Sequence, residues 1–168
     1  MNFYDTVFAR RSIRRYSDEP VPEDALVRIL EAARVAPSAC NIQPWHFFVV
    51  RDAEMRTRLF PPDRQVWAGV APVVLVACSL PGAAWVRGYD KKNHADVDLG
   101  IAMEHIMLAA TEEGLATCWI CAFDPTLFRT VLALPAEMEP VAATPLGYAD
   151  AEPGPFIRKP LEEIVTWR

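Results

Sequence analysis

The chain has 168 residues, 52% hydrophobic and 23% charged, with a formal net charge of −5 and a mean hydropathy of +0.08. That length suits one domain with a substantial core, and the acidic balance argues against nucleic acid or an anionic membrane as partner, because both select a basic footprint. The apolar run around Val70–Cys78 is too short to span a bilayer, and no apolar stretch follows Arg10 and Arg11 as a secretory signal requires, so a cytoplasmic location and reduced thiols at Cys40, Cys78, Cys118 and Cys121 are expected.

A first helix is predicted over Asn2–Arg10, with Asn2 as cap, Asp5 at the positive end of the dipole, and Phe3, Tyr4, Val7 and Phe8 sharing one face. A second starts at Pro22, carries Glu23 and Asp24 in its first turn and the stripe Leu26, Ile29, Leu30 and Ala33, and is stopped by Pro37. His46–Val50 reads as a strand, and Glu54–Phe60 as a short helix. Val73–Cys78 is a continuous β-branched run, hence a buried strand. Residues 80–95 read as a long loop of the kind that often carries function.

The strongest helix covers Asp96–Glu113, apolar over much of its circumference and therefore central, and Gly114 ends it. Thr117–Cys121 reads as a strand, Asp124-Pro125 as the start of a helix, and Val141–Tyr148 as the last strand. Residues 150–168, rich in Pro and charge, read as an extended arm. Strands and helices mix without repeated βαβ spacing, which gives an α+β fold. The whole of residues 1–168 is expected to form one domain.

Two clusters bear on chemistry. Arg10-Arg11-Ser12-Ile13-Arg14-Arg15 holds four arginines in six residues, which repel one another unless an anion gathers them. Guanidinium forks match phosphate oxygens, and a serine hydroxyl adds a neutral donor. The plainer reading is a basic helix C-terminus left in water. The second cluster, Pro37-Ser38-Ala39-Cys40-Asn41-Ile42-Gln43-Pro44-Trp45, has small residues that let a flat ring approach the backbone, and amides that suit a heteroaromatic edge. Its plainer reading is a turn.

RRSIR followed by APSACNIQPW, then APVVLVAC, LAATEEGLATCWICAFDP and PLGYADAEPGPFIRKPLEEIV, resembles the nitroreductase family of FMN enzymes over nearly the whole chain. The resemblance implies a mostly antiparallel sheet flanked by helices around a long buried central helix, in a homodimer with FMN at the interface. It implies that Arg10, Ser12 and Arg14 contact the phosphate and ribityl groups, with Arg11 beside them and Arg158 completing the phosphate site. Pro37, Ser38, Ala39 and Asn41 would reach the flavin from the other subunit. Trp119, Ile120, Cys121 and Ala122 would lie along the isoalloxazine, with a main-chain N–H towards N5.

The implied reaction is a ping-pong cycle in which NADH or NADPH reduces the flavin and an organic acceptor, such as a nitroaromatic or a quinone, reoxidises it. The cofactor carries the chemistry, so no protein acid or nucleophile is required. Other readings on the same scaffold are an FMN carrier or redox sensor with little turnover, and a different flavin reaction such as dehydrogenation or dehalogenation.

Cys118-Trp119-Ile120-Cys121 is a CxxC, but inside a strand its thiols face opposite sides, which argues against a disulfide or a shared metal. The family commonly has Gly or an acid where Cys121 stands, and Cys121 reads as space-filling. His105 reads as a satisfied core residue and His46 as structural. His94, with Lys91 and Lys92, reads as solvated charge, and Trp85 and Tyr89 as a lid or a dimer contact.

Overall fold

The computed structural model describes residues 1–168. Helix α1 spans Phe3–Ala9, and Asn2 and Asp5 cap it reciprocally, each side chain accepting the other's backbone N–H. Only Thr6 of this helix is buried. The expected apolar face, Phe3, Tyr4, Val7 and Phe8, is turned to solvent and takes no part in the core. The helix is instead held by polar groups: Glu112 accepts from the Thr6 hydroxyl at 2.6 Å and from the Met1 ammonium at 2.5 Å.

Helix α2 (Glu23–Arg34) buries Ala25, Leu26, Ile29 and Ala33, the predicted stripe except for half-buried Leu30. Pro22 sits at its cap rather than inside it, and the helix ends before Pro37: Val35, its C-cap, still donates to the Glu31 carbonyl but leaves the helical conformation with ψ at 2°. Strand β1 (Trp45–Val50), helix α3 (Ala53–Leu59) and helix α4 (Val66–Val70) follow. Five residues give no readable period, so α4 has no sequence signature.

Strand β2 (Val73–Ser79) is buried at every residue. Helix α5 (Ala95–Glu112) buries eight residues, including Leu99, Met103 and Ile106, and Gly114 turns the chain with φ 74°. Strand β3 (Ala116–Thr117), helix α6 (Pro125–Leu132) and strand β4 (Glu139–Gly147) complete the order. The Asp124 side chain caps α6 by accepting from Thr126 and Leu127.

The sheet order is β1-β2-β4-β3, with every neighbouring pair antiparallel. Alternation along β2 separates two cores. Val73, Leu75 and Ala77 pack with α2 and α5, while Val74, Val76 and Cys78 pack with Phe60, Phe128 and Val131 on the other face. Each large side chain fully withdrawn from water contributes roughly 1.5–3 kcal/mol. Thr117–Cys121 is not one strand. The Cys118 N–H goes to the Thr144 hydroxyl instead of a ladder carbonyl, pairing lapses, and it resumes only where Ile120 bridges Ala143. Beyond Asp150 the chain has no regular element except the turn Leu161–Glu163.

Candidate functional site

The arginine run is a helix C-terminus only at its start. Arg10 is the C-cap of α1 and Arg11 donates to the Phe8 carbonyl, but the chain is extended from Arg10 onward. This segment is stitched along the sheet edge. Ser12 bridges Thr117, the Ile13 N–H donates to the Thr117 carbonyl at 2.9 Å, and Tyr16 bridges Ala149. Ile13 and Tyr16 point inward to a small core with Ala71 and Ala116. The Tyr16 hydroxyl donates to the Ile13 carbonyl at 2.6 Å, and burial raises its pKa far above the ordinary tyrosine value. Anchoring these residues leaves Ser12 and Arg14 facing out.

Arg10, Arg11, Ser12 and Arg14 form one wall of a cleft of about 200 Å³, and Gly154, Pro155, Phe156 and Arg158 form the other. No carboxylate lines it, and none of its four arginines joins an ion pair, although Arg15 pairs with Asp150. In a chain of net charge −5, four guanidiniums around one space without an acid are a donor set for a multiply charged oxyanion. That set fits the phosphate monoester of FMN.

Arg14 also borders a second cleft of about 280 Å³, with Gln65, Trp67 and residues 118–122. Its guanidinium carbon lies 5.8 Å from the Trp67 ring centroid. Ile120 spends both main-chain groups on Ala143, whereas the N–H groups of Trp119, Cys121 and Ala122 make no backbone hydrogen bond and remain available. The Trp119 indole donates to the Cys121 sulfur at 3.0 Å. Cys118 is buried and Cys121 exposed, so the two thiols do face apart although no strand joins them; burial pushes the Cys118 thiol up, against the opposing pull of Arg14, Ser12 and Arg10. Gln65 and Trp67 were not singled out from sequence. Gln65 caps α4 in the left-handed region, and its buried Oε1 has no partner.

The 37–43 loop lies elsewhere. It leaves α2 and turns beside the start of α5, where the Ala39 N–H donates to Asp98. Cys40, Asn41 and Gln43 all have positive φ, each a strain of about 1–2 kcal/mol. Ser38 Oγ accepts from the Gln43 N–H at 2.8 Å, and the Gln43 amide donates to Asn41 Oδ1 and to its carbonyl. None of Pro37, Ser38, Ala39 and Asn41 borders either Arg14 cleft, so one chain does not bring the two clusters together. His105 Nδ1 donates to the Ala32 carbonyl at 2.9 Å, and His46 is exposed against Phe48.

Fold and site together define an α+β protein whose acid-free arginine cleft shares one lining arginine with an aromatic-walled cleft. The Nitroreductase family model matches residues 7–70 and 61–148. An NADH dehydrogenase of Thermus thermophilus is 36% identical, across 95% of this chain and 92% of its own length. The crystal structure of a nitroreductase family protein from Clostridium difficile 630 superposes with a TM-score of 0.91 at 34% identity, covering 99% of this chain and 98% of that one. An FMN-dependent nitroreductase from Clostridium difficile R20291 superposes with a TM-score of 0.78 at 28% identity, covering 90% of each chain. The chain belongs to the nitroreductase family. No helix is long and apolar enough to cross a membrane.

Proposed function

We propose that this chain is an FMN-dependent oxidoreductase that accepts a hydride from NADH or NADPH and reduces an organic acceptor, such as a nitroaromatic or a quinone, in a ping-pong cycle. The observation that carries this reading is that Arg14 lines both the arginine cleft and the cleft along residues 118–122. When bound, FMN supplies the hydride chemistry at N5.

In this reading Arg10, Ser12, Arg14 and Arg158 hold the phosphate and ribityl groups, with Arg11 alongside. The ring then extends along Trp119–Ala122, where the uncommitted main-chain N–H groups are donors to its edge. Trp67 and Trp119 wall the second cleft and limit water around the ring. Residues 1–168 act as one domain with 150–168 as its arm, and a second copy supplies Pro37, Ser38, Ala39 and Asn41. The exposed Phe3, Tyr4 and Phe8 of α1 support such a partner surface, as does the absence of the 37–43 loop from the lining of the arginine cleft.

The test is the visible spectrum of the purified protein, heat release and identification of any chromophore, then anaerobic bleaching by NADH and by NADPH and recovery with an added acceptor. Flavin bands, released FMN and rapid turnover are expected. A protein that stays colourless and binds no added FMN overturns the reading. One that binds FMN without turnover is a carrier or a sensor.

A further inference from the structure

Phe156 is the one aromatic residue lining the arginine cleft, and it is 43% exposed, so core packing does not explain its place. Its ring centroid is 4.2 Å from the guanidinium carbon of Arg11 and 4.5 Å from that of Arg158. Phe8, at the end of α1, meets the same ring edge-on at 6.4 Å. Each arginine is held at a second point by Nη1 alone: Arg11 donates to the carbonyls of Phe8 and Arg10, Arg158 to that of Ile157 at 2.7 Å. The remaining guanidinium edges have no protein partner.

Two cations drawn to one small space repel each other, and two long side chains lose rotamer freedom when they converge. An aromatic face attracts both charges through its quadrupole and leaves their N–H edges free. We infer that Phe156 is a positioning residue that gathers Arg11 and Arg158 into an anion-ready pair before the ligand arrives. The inference rests on the reading of this cleft as the FMN phosphate subsite. Pre-organisation of this kind raises affinity for the phosphate specifically, since the cost of convergence is met in the empty protein.

The test compares FMN with riboflavin, which has the same ring and lacks the phosphate. Both are titrated by fluorescence quenching into the full chain freed of bound flavin, as wild type, Phe156→Leu and Phe156→Trp. Leucine keeps an apolar side chain against Phe8 and removes the quadrupole; tryptophan keeps a π face. The expected result is FMN binding weaker by roughly fivefold to tenfold in Phe156→Leu, unchanged riboflavin binding, and FMN binding by Phe156→Trp at least as tight as wild type. Wild-type FMN affinity in Phe156→Leu, or equal loss of both ligands, overturns the inference. Should the leucine variant unfold, weakened FMN binding by a folded Phe156→Trp overturns it as well. A wild-type protein that binds riboflavin as tightly as FMN overturns the phosphate reading of the cleft, and the inference with it.

Discussion

Ala39 donates its backbone N–H to Oδ1 of Asp98 across 3.1 Å, tying the strained 37–43 loop to the first turn of α5. Asp98 is buried, and its Oδ2 has no partner, so this one contact is what the side chain contributes. Asp98→Ala leaves the half-buried Ala39 N–H without its acceptor and should cost about 1 kcal/mol in denaturant unfolding. Asp98→Asn keeps an acceptor oxygen and should recover most of that loss. Equal destabilisation by both variants would show that the bond does not hold the loop.

Arg14 and Arg15 are neighbours with opposite fates, one in the arginine cleft and one paired with Asp150. Arg14→Ala should weaken FMN retention by at least about tenfold, the value of one charge-assisted contact to phosphate. Arg15→Ala should leave retention unchanged. Dissociation constants from flavin fluorescence settle the pair, and equal effects would sink the assignment.

The four cysteines divide by burial. Cys40 and Cys121 are exposed, whereas Cys78 and Cys118 are buried, and burial pushes the Cys78 thiol up to about 11. A thiol reagent at about pH 8 should therefore add to Cys40 and Cys121 in the folded, flavin-free protein and to all four cysteines after unfolding. Intact-mass spectrometry reads the number, and peptide mapping reads the sites.

Arg28 donates to both oxygens of Glu113 at 2.7 Å and holds its carboxyl below the ordinary glutamate value of 4.5. A depressed folded-state pKa contributes stability that is present above the unfolded value and lost as pH falls through the folded one. Arg28→Ala should thus melt lower than wild type at about pH 7, with the gap closing by about pH 3. The gap should be small, because the Arg28 side chain is 54% exposed and water screens its charge. Thermal unfolding midpoints at the two pH values check it.

Gly147, the last residue of β4, has no room for a side chain: an added Cβ would lie 2.7 Å from Cδ and 3.0 Å from Cγ of Pro72. Gly147→Ala should cost about 1–3 kcal/mol through overpacking. Gly100→Ala, which meets nothing within 4 Å, should be neutral or stabilising in its helix. Chemical denaturation of the two variants side by side tests the contrast.

What could be read from sequence was whatever local pattern determines. The stripe of α2, the apolar run of β2 and the Asp124-Pro125 start of α6 are decided within a few residues of themselves, and each lies where the pattern puts it. What failed depends on partners far along the chain. Phe3, Tyr4 and Phe8 have helical spacing, but spacing does not say whether a helix faces its own core. Cys118 looks like a strand residue until Thr144, on another element, takes its N–H. The arginines of the RRSIRR run were visible as a charge cluster. That they leave the helix and lie along a sheet edge depends on Thr117 and Ala149. Gln65 and Trp67 border the second cleft with no local signal beyond an aromatic residue in a short apolar stretch.

The arginine cleft joins residues 10–14 to residues 154–158, so its two walls are made at opposite times during synthesis. A growing chain carries the first guanidiniums long before Phe156 and Arg158 exist, and the strand edge that aligns them, Thr117 and Ala149, also comes late. Contacts this distant in sequence form slowly, because the intervening chain must be ordered before they give any return. The phosphate end is therefore assembled in the last stage of folding, and only a finished chain, its two ends joined through Phe156, can take up flavin there.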